Sequence, residues 1–429
     1  MTCSFGDRRD WFPRARFGLF LHWGIYAVEG WHEQQHYRQG MTRDAYRALA
    51  QRFDPAGFDP HAWIDLARKC GMGYLVVTAK HIDGFCMFHS AVSDFTVAAT
   101  PYREDLIGQI ATACHNRDLP FGVYFSALDN LHPACPRSGK PHQSPAEPGD
   151  APDYERYMDF VRAQVRELCT SYGELSVFWW DANRTGATDP GINALIRQLQ
   201  PGCVINNRGW DEGDFGTPER SYGADAEAVA PFERLTEACE SVGSQSWGYR
   251  VDEDYFTPRY LMRRVDLMMA RGANYLLNVG PDARGRIPAE PRRLLQRVGA
   301  WYGAVREAFD GATLATDLSV NRDVLLTRRG HTVYVHLNRE PATSSVALPP
   351  IEALPRRAVL LNTGAPVACD INRLPTLHGQ PRTAALRLHD LPVEAHAGEV
   401  LVVRLEFGPE LDAAPGAGDP ADADDATVR

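Results

Sequence analysis

The sequence predicts an α/β chain: a (β/α)8-like TIM barrel followed by a small C-terminal β-sandwich. Three observations lead there. Five short apolar runs each stop at a polar or aromatic cluster, amphipathic helical stretches lie between them, and after about Asp310 the texture changes to short strands joined by turns. Strands that alternate with helices call for a parallel sheet. In a (β/α)8 barrel the C-terminal strand ends converge on one face, so side chains far apart in sequence gather there around one substrate. At 429 residues the chain is long enough for such a barrel plus an accessory module.

The strand ends come in order. Leu19-Phe20-Leu21 stops at His22-Trp23-Gly24, and Tyr74-Leu75-Val76-Val77 leads to Lys80-His81-Ile82-Asp83. Phe121-Gly122-Val123 stops at Tyr124-Phe125-Ser126, Val177-Phe178-Trp179-Trp180 at Asp181, and Val204-Ile205 at Asn206-Asn207-Arg208. Between them, Glu104 to His115 carries Leu106, Ile107, Ile110, Ala111 and Cys114 at the helical period, and Asp153 to Cys169 carries Tyr157, Met158, Val161, Val165 and Leu168. Pro152-Asp153 supplies a start signal for the second and Tyr172-Gly173 a stop. Pro190 to Leu199 and Thr257 to Ala270 read as further helices, Asn274 to Val279 as a strand, and Pro288 to Phe309 as the closing helix. Trp210 to Trp247 is rich in Gly, Glu and Asp without a period, so long loops over the barrel mouth are expected.

Beyond the barrel, Val324 to Thr327 and Thr332 to Leu337 flank Arg329-Gly330 as a hairpin, and Ala358 to Leu361, Ala384 to Leu388 and Glu399 to Phe407 read as strands. The expected division is a catalytic barrel over 1–310, a β-sandwich over 311–408 and, because it is mostly Asp, Ala, Pro and Gly, a disordered tail over 409–429.

Composition narrows the function. The net charge is −10 and the cations are dispersed, so the footprint of a nucleic-acid binder is missing. No stretch approaches a membrane span. The nine cysteines are odd in number and contain no C-x-x-C pair, and the charged residues Asp7 to Asp10 stand where a signal peptide needs an apolar stretch. A soluble cytoplasmic protein is expected, acting on a small-molecule or oligosaccharide glycoside, without nucleic-acid or membrane partners and with homo-oligomerisation open.

Asp181 ends an apolar strand beside Trp179 and Trp180, whose rings suit a sugar face. Hydrolysis of a glycosidic bond needs two carboxylates, one to attack or activate water and one to protonate the leaving oxygen. Glu219, in Gly216-Thr217-Pro218-Glu219 downstream of the fifth strand, is the partner singled out, with Asp211, Glu212, Asp214, Asp225 and Glu227 as competitors. Arg208 can hold a carboxylate ionised or bind hydroxyls. His22, His81 and Tyr124, at three strand ends, suit a ring of hydroxyls. His32-Glu33-Gln34-Gln35-His36 matches the zinc-binding H-E-x-x-H, but a third ligand and a core helix are wanting, and no metal is expected.

The ordered set of clusters resembles the retaining α-L-fucosidases of glycoside hydrolase family twenty-nine over residues 11–310. Gly272-Ala273-Asn274-Tyr275-Leu276-Leu277-Asn278-Val279-Gly280-Pro281 is similar to a signature of that family. The resemblance implies Asp181 as nucleophile, Glu219 as proton donor, His22, His81, Tyr124 and Arg208 as sugar-binding groups, Glu33 as the glutamate of a Glu-Trp pair, and no cofactor; Trp180 joins the expected substrate-binding set through its ring beside Asp181. Two positions depart: Ile82 stands where a second histidine is usual, and Gln34 where the tryptophan of the pair falls. These departures leave two alternatives, a glycosidase for a related or modified sugar and a non-catalytic carbohydrate-binding pseudoenzyme.

Overall fold

The computed structural model describes residues 4–137, 139, 142–183, 186–220, 229–373 and 384–411. Seven parallel strands form one sheet: β1 Phe17–Leu21, β2 Leu75–Lys80, β3 Phe121–Ser126, β4 Val177–Asp181, β5 Val204–Ile205, β6 Glu237–Ser241 and β7 Asn274–Val279. Their spatial order is β5-β4-β3-β2-β1-β7-β6. The register aligns Leu21 with Val77 and Val279, Tyr124 with Trp179, and Ser126 with Asp181, which brings the C-terminal ends to a common level.

The expected eighth strand is absent among the described residues. The gap between β5 and β6 is spanned by residues 215–219, which make single parallel bridges to both sides: Asn206 with Phe215, Gly216 with Thr236, and Glu219 with Cys239. Pro218 has no N–H to give a ladder, and a glycine at 216 gives a strand little to pack, so the segment runs strand-like without continuous pairing. The expectation of loops throughout 210–247 is corrected by β6, whose sequence Glu-Ala-Cys-Glu-Ser is buried along its whole length.

The major helices are α1 Pro60–Lys69, which sequence reasoning missed, and α2 Leu106–His115, α3 Tyr154–Ser171, α4 Pro190–Leu199, α5 Pro258–Ala270 and α6 Ala289–Val305, which it indicates. Most start on a side chain that satisfies otherwise unpaired backbone donors: Asp59, Asp105, Asp153, Asp189 and Thr257 each accept from an amide of the first turn. Proline follows immediately at 60, 190 and 258, where its fixed φ suits the helix and its missing N–H costs nothing.

Alternation along the strands separates two apolar layers. Phe20, Tyr74, Val76, Tyr124, Val177, Trp179 and Leu276 pack together inside the curled sheet. Leu19, Leu75, Val123, Phe125, Phe178, Trp180 and Leu277 face the helices. Residues after α6 form two antiparallel sheets, in the order β12-β15-β10-β9-β8 and β11-β14-β13. They span β8 Thr313–Leu314, β9 Leu325–Arg329, β10 Thr332–His336, β11 Val346–Leu348, β12 Arg357–Leu360, β13 Ala368–Arg373, β14 Ala384–His389 and β15 Val402–Glu406. Val333, Val335 and Leu405 of one sheet share an apolar cluster with Leu348, Leu386 and Leu388 of the other. Pro409–Leu411 makes a 3-10 turn with Leu411 buried in that cluster, which corrects the start of the expected tail. Positions 412–429 lie outside the described residues.

Candidate active site

A cavity at the C-terminal strand ends is lined by His22, Glu33, His81, Tyr124, Asp181, Arg208 and Glu219, together with Phe20, Trp179, Cys239 and Trp247. Seven of the eight residues singled out from the sequence therefore meet in one place. The exception is Trp180. Its side chain is fully buried toward the helices, where Nε1 donates to Asn193 Oδ1 at 2.9 Å and the ring meets Trp210 edge-on. Neighbours in a strand point to opposite faces, so with Asp181 at the strand's end it is Trp179 that looks inward.

Asp181 ends β4 and is held from two sides. Tyr124 Oη donates to its Oδ2 at 2.8 Å, and Arg208 Nη1 to its Oδ1 at 3.1 Å. Burial raises this carboxyl, but the Arg208 charge and the Tyr124 hydrogen bond outweigh it and hold it below its ordinary value. A nucleophile needs that ionised state. Arg208 is itself fixed by Thr217, donating through Nε to the hydroxyl at 2.7 Å and through Nη2 to the carbonyl at 2.9 Å. Its guanidinium lies over the Trp179 ring, 5.0 Å from the centroid.

The same Arg208 Nη1 meets Glu219 Oε2 at 2.7 Å. Two oxygens on one nitrogen at 3.1 and 2.7 Å cannot be more than about 6 Å apart, closer to the roughly 5–5.5 Å of retaining glycosidases than to the 6.5–9.5 Å of inverting ones. Of the competing carboxylates, Asp214 is tied up by Arg9, Arg197 and the Ile205 amide, and Asp211 and Glu212 do not line the cavity. Asp225 and Glu227 lie outside the described residues.

The remaining polar groups are preset acceptors and donors. Asn278 gives both amide hydrogens away, to Ser241 Oγ and the Trp247 carbonyl, so its Oδ1, 2.8 Å from His22 Nδ1, accepts and makes that nitrogen the protonated one. Burial pushes the His22 pKa down to about 4, leaving a neutral ring whose Nε2 is an acceptor at neutral pH. Burial, with His22 beside it, takes His81 to about 3; its ring stacks on Tyr124 at 5.4 Å, and its buried Nδ1 has no hydrogen-bond partner among the described residues. Glu33 Oε2 accepts from Ser246 Oγ at 2.7 Å and from the amides of Trp247 at 2.9 Å and Gly248 at 3.2 Å, while its buried Oε1 has no hydrogen-bond partner among the described residues. Burial raises the Glu33 carboxyl, yet His32, His81 and the Ser246 hydroxyl outweigh it and keep it below its ordinary value.

The H-E-x-x-H match dissolves in the geometry. His32 Nδ1 accepts from the Gln34 amide at 2.9 Å, whereas His36 Nδ1 faces Ser144 Oγ at 2.9 Å, and the only helical turn there is Gln35–Arg38. No group of three or more metal-ligating side chains occurs among the described residues. Both departing positions, Gln34 and Ile82, line the cavity. Sequence reasoning missed Cys239 and Trp247, which sit in the stretch without periodicity, and His142, which arrives on the β3–α3 connection with no strand end to mark it.

Comparison with known proteins gives the family. The family model described as Alpha-L-fucosidase matches residues 4–307. The tissue alpha-L-fucosidase of Bos taurus is 28% identical over 365 residues, covering 79% of this chain and 76% of that protein. Alpha-L-fucosidase isoenzyme 1 from Paenibacillus thiaminolyticus superposes with a TM-score of 0.81 at 31% identity, covering 94% of this chain and 99% of that one. AlfC of Lactobacillus casei, solved in complex with alpha-L-fucose product, gives a TM-score of 0.64 at 30% identity over 70% of this chain and 99% of its own. With the family model spanning well over half of its length, this chain belongs to the α-L-fucosidases, the glycoside hydrolases of family twenty-nine.

Proposed function

We propose that the protein hydrolyses α-L-fucosides with retained configuration through a covalent glycosyl-aspartate intermediate. The observation that carries this reading is the shared guanidinium nitrogen, which places Asp181 and Glu219 at close range across one cavity. Asp181 attacks C1 as the glycosidic bond breaks; the bonding pair leaves with the exocyclic oxygen, which takes its proton from Glu219. In the second half, Glu219 removes a proton from water, the water oxygen bonds to C1, and the ester bond returns its pair to Asp181. Entry of the sugar between the carboxylates separates Glu219 from Arg208, and Arg208 stays with Asp181. Glu33 Oε1, His22 Nε2 and His81 Nδ1 supply hydrogen-bonding partners for ring hydroxyls. Phe20 and Trp247 give the cavity an apolar wall that suits a 6-deoxy carbon.

A panel of nitrophenyl glycosides tests the reading, with turnover of the α-L-fucoside expected to exceed all others. Because Gln34 and Ile82 both line the cavity, preferential turnover of a β-D-arabinoside or of a modified 6-deoxy sugar would transfer the same chemistry to that glycone. Sugar binding without any turnover would leave a carbohydrate-binding pseudoenzyme.

A further inference from the structure

Beside the cavity lies a buried charge cluster that the steps above do not use. Glu240 follows the cavity-lining Cys239 on β6, so alternation turns its side chain to the other face of the sheet, toward the helices. It is 1% exposed, and among the described residues no side chain donates a hydrogen bond to either carboxylate oxygen. Its support is ionic: Arg220 Nε stands 3.4 Å from Oε1, and the charge of Arg264 on α5 acts on the same group. Burial pushes this carboxyl up to about 7, and the two arginines offset only part of that cost.

The two arginines are joined at the residue next to Glu219. Arg264 Nη2 donates to the Arg220 carbonyl at 2.6 Å. Arg220 Nη1 donates to the Ser244 carbonyl at 2.8 Å, and its guanidinium lies over the Trp247 ring, 4.9 Å from the centroid. Arg220 has a φ of +48°, in the left-handed region that side chains with a Cβ rarely occupy. A backbone in that region persists when its surroundings hold it there, and here both its carbonyl and its side chain are pinned. Glu219 immediately precedes this pinned residue and bridges to Cys239.

We propose that Glu240, acting through Arg220 and together with Arg264, is a positioning residue that keeps Glu219 aimed at the departing glycosidic oxygen. The inference rests on Glu219 being the proton donor, and it deepens that assignment. A carboxylic acid at this position matters most when the leaving group is a poor one, and little when the leaving group departs unprotonated. A loosened donor therefore gives a loss that grows with leaving-group basicity, which a general loss of structure does not.

The test compares kcat/KM of Glu240→Gln, Arg220→Lys and Glu219→Gln on 2,4-dinitrophenyl and 4-methoxyphenyl α-L-fucosides. Glu219→Gln is expected to lose about 100-fold or more on the methoxyphenyl substrate and far less on the dinitrophenyl one. Glu240→Gln is expected to lose about tenfold more on the methoxyphenyl than on the dinitrophenyl substrate, a smaller copy of the same pattern. Arg220→Lys keeps the charge but loses the fork that reaches Ser244 and Glu240 together, and carries the same comparison should Glu240→Gln fail to fold. Equal losses on both substrates, or none, in the presence of a graded loss in Glu219→Gln would overturn the positioning role alone. An ungraded Glu219→Gln would overturn the donor assignment, and the positioning role with it.

Discussion

Replacing Tyr124 by Phe deletes a single oxygen from the site and isolates what it does for Asp181, the proposed nucleophile. The ring stays, stacked between His81 and Trp179 at 5.4 and 5.6 Å, so packing is retained. What goes is the 2.8 Å hydrogen bond to Asp181 Oδ2. A net hydrogen bond to a charged group contributes about 1.5–3 kcal/mol, and the lower end applies here because Asp181 is 27% exposed at the cavity. About 1.5 kcal/mol corresponds to roughly tenfold in the carboxylate's affinity for a proton.

The sign follows from the direction of the native shift. Asp181 is held below its ordinary value with Tyr124 among the causes, so losing the hydroxyl raises it, and the ionised nucleophile is lost at higher pH as pH falls. The acidic limb of kcat/KM moves to higher pH, with about a tenfold deficit on that limb, while the neutral plateau changes less because a carboxylate with one donor fewer is also a stronger nucleophile. The assay is the pH dependence of kcat/KM on an aryl α-L-fucoside. An acidic limb unmoved in Tyr124→Phe, or moved to lower pH, would refute the reasoning.

Glu33→Gln keeps an oxygen for the Ser246, Trp247 and Gly248 donors and turns an amide nitrogen toward the cavity; with the favourably held charge gone, the expected result is a lowered melting temperature together with kcat/KM lowered by about 2 kcal/mol, roughly 30-fold, measured by thermal unfolding and steady-state kinetics. Dialysis against EDTA should leave activity unchanged, since His32 Nδ1 is turned to the Gln34 amide and Glu33 while His36 Nδ1 is turned to Ser144; loss restored by zinc would reverse that reading. Asp266 on α5 receives His336 Nδ1 at 2.6 Å and Asn338 Nδ2 at 2.8 Å with both ionisable partners fully buried, so Asp266→Asn should lower unfolding stability by about 3 kcal/mol in urea titration while leaving KM for the fucoside near its original value.

The legible part of this molecule was the part where apolar strands run into chemistry. β1 through β4 are apolar on both faces and stop at His22, Lys80, Ser126 and Asp181, so the end of a continuously buried run and a change of residue type coincide. β6 has no such signature. Its Glu237 is buried inside the sheet because Tyr74 Oη and, at 2.7 Å, Trp179 Nε1 donate to it, and burial pushes its carboxyl up to about 7; a glutamate satisfied this way reads in sequence as solvent-facing loop. The bridging segment 215–219 was hidden by Gly216 and Pro218, although Thr217-Pro218-Glu219 within it was legible through resemblance. Trp179 and Trp180 differ by one position, and alternation counted back from Asp181 turns Trp179 toward the cavity, where it joins the inward layer with Tyr124 and Phe20. In the C-terminal region the hairpin at Arg329-Gly330 stood out by its turn, whereas β8, β11 and β13 are short or half-exposed and carry no such marker.

The central claim is the pairing of Asp181 as nucleophile with Glu219 as acid/base, and azide rescue reads it directly through the configuration of the product. Asp181→Gly should be inactive on an aryl α-L-fucoside and, with azide filling the vacated space, should give β-L-fucosyl azide. Glu219→Gly should accumulate the fucosyl-enzyme on a dinitrophenyl substrate and release α-L-fucosyl azide, both products assigned by NMR. The opposite configurations, or wild-type turnover in either variant without azide, would contradict the account.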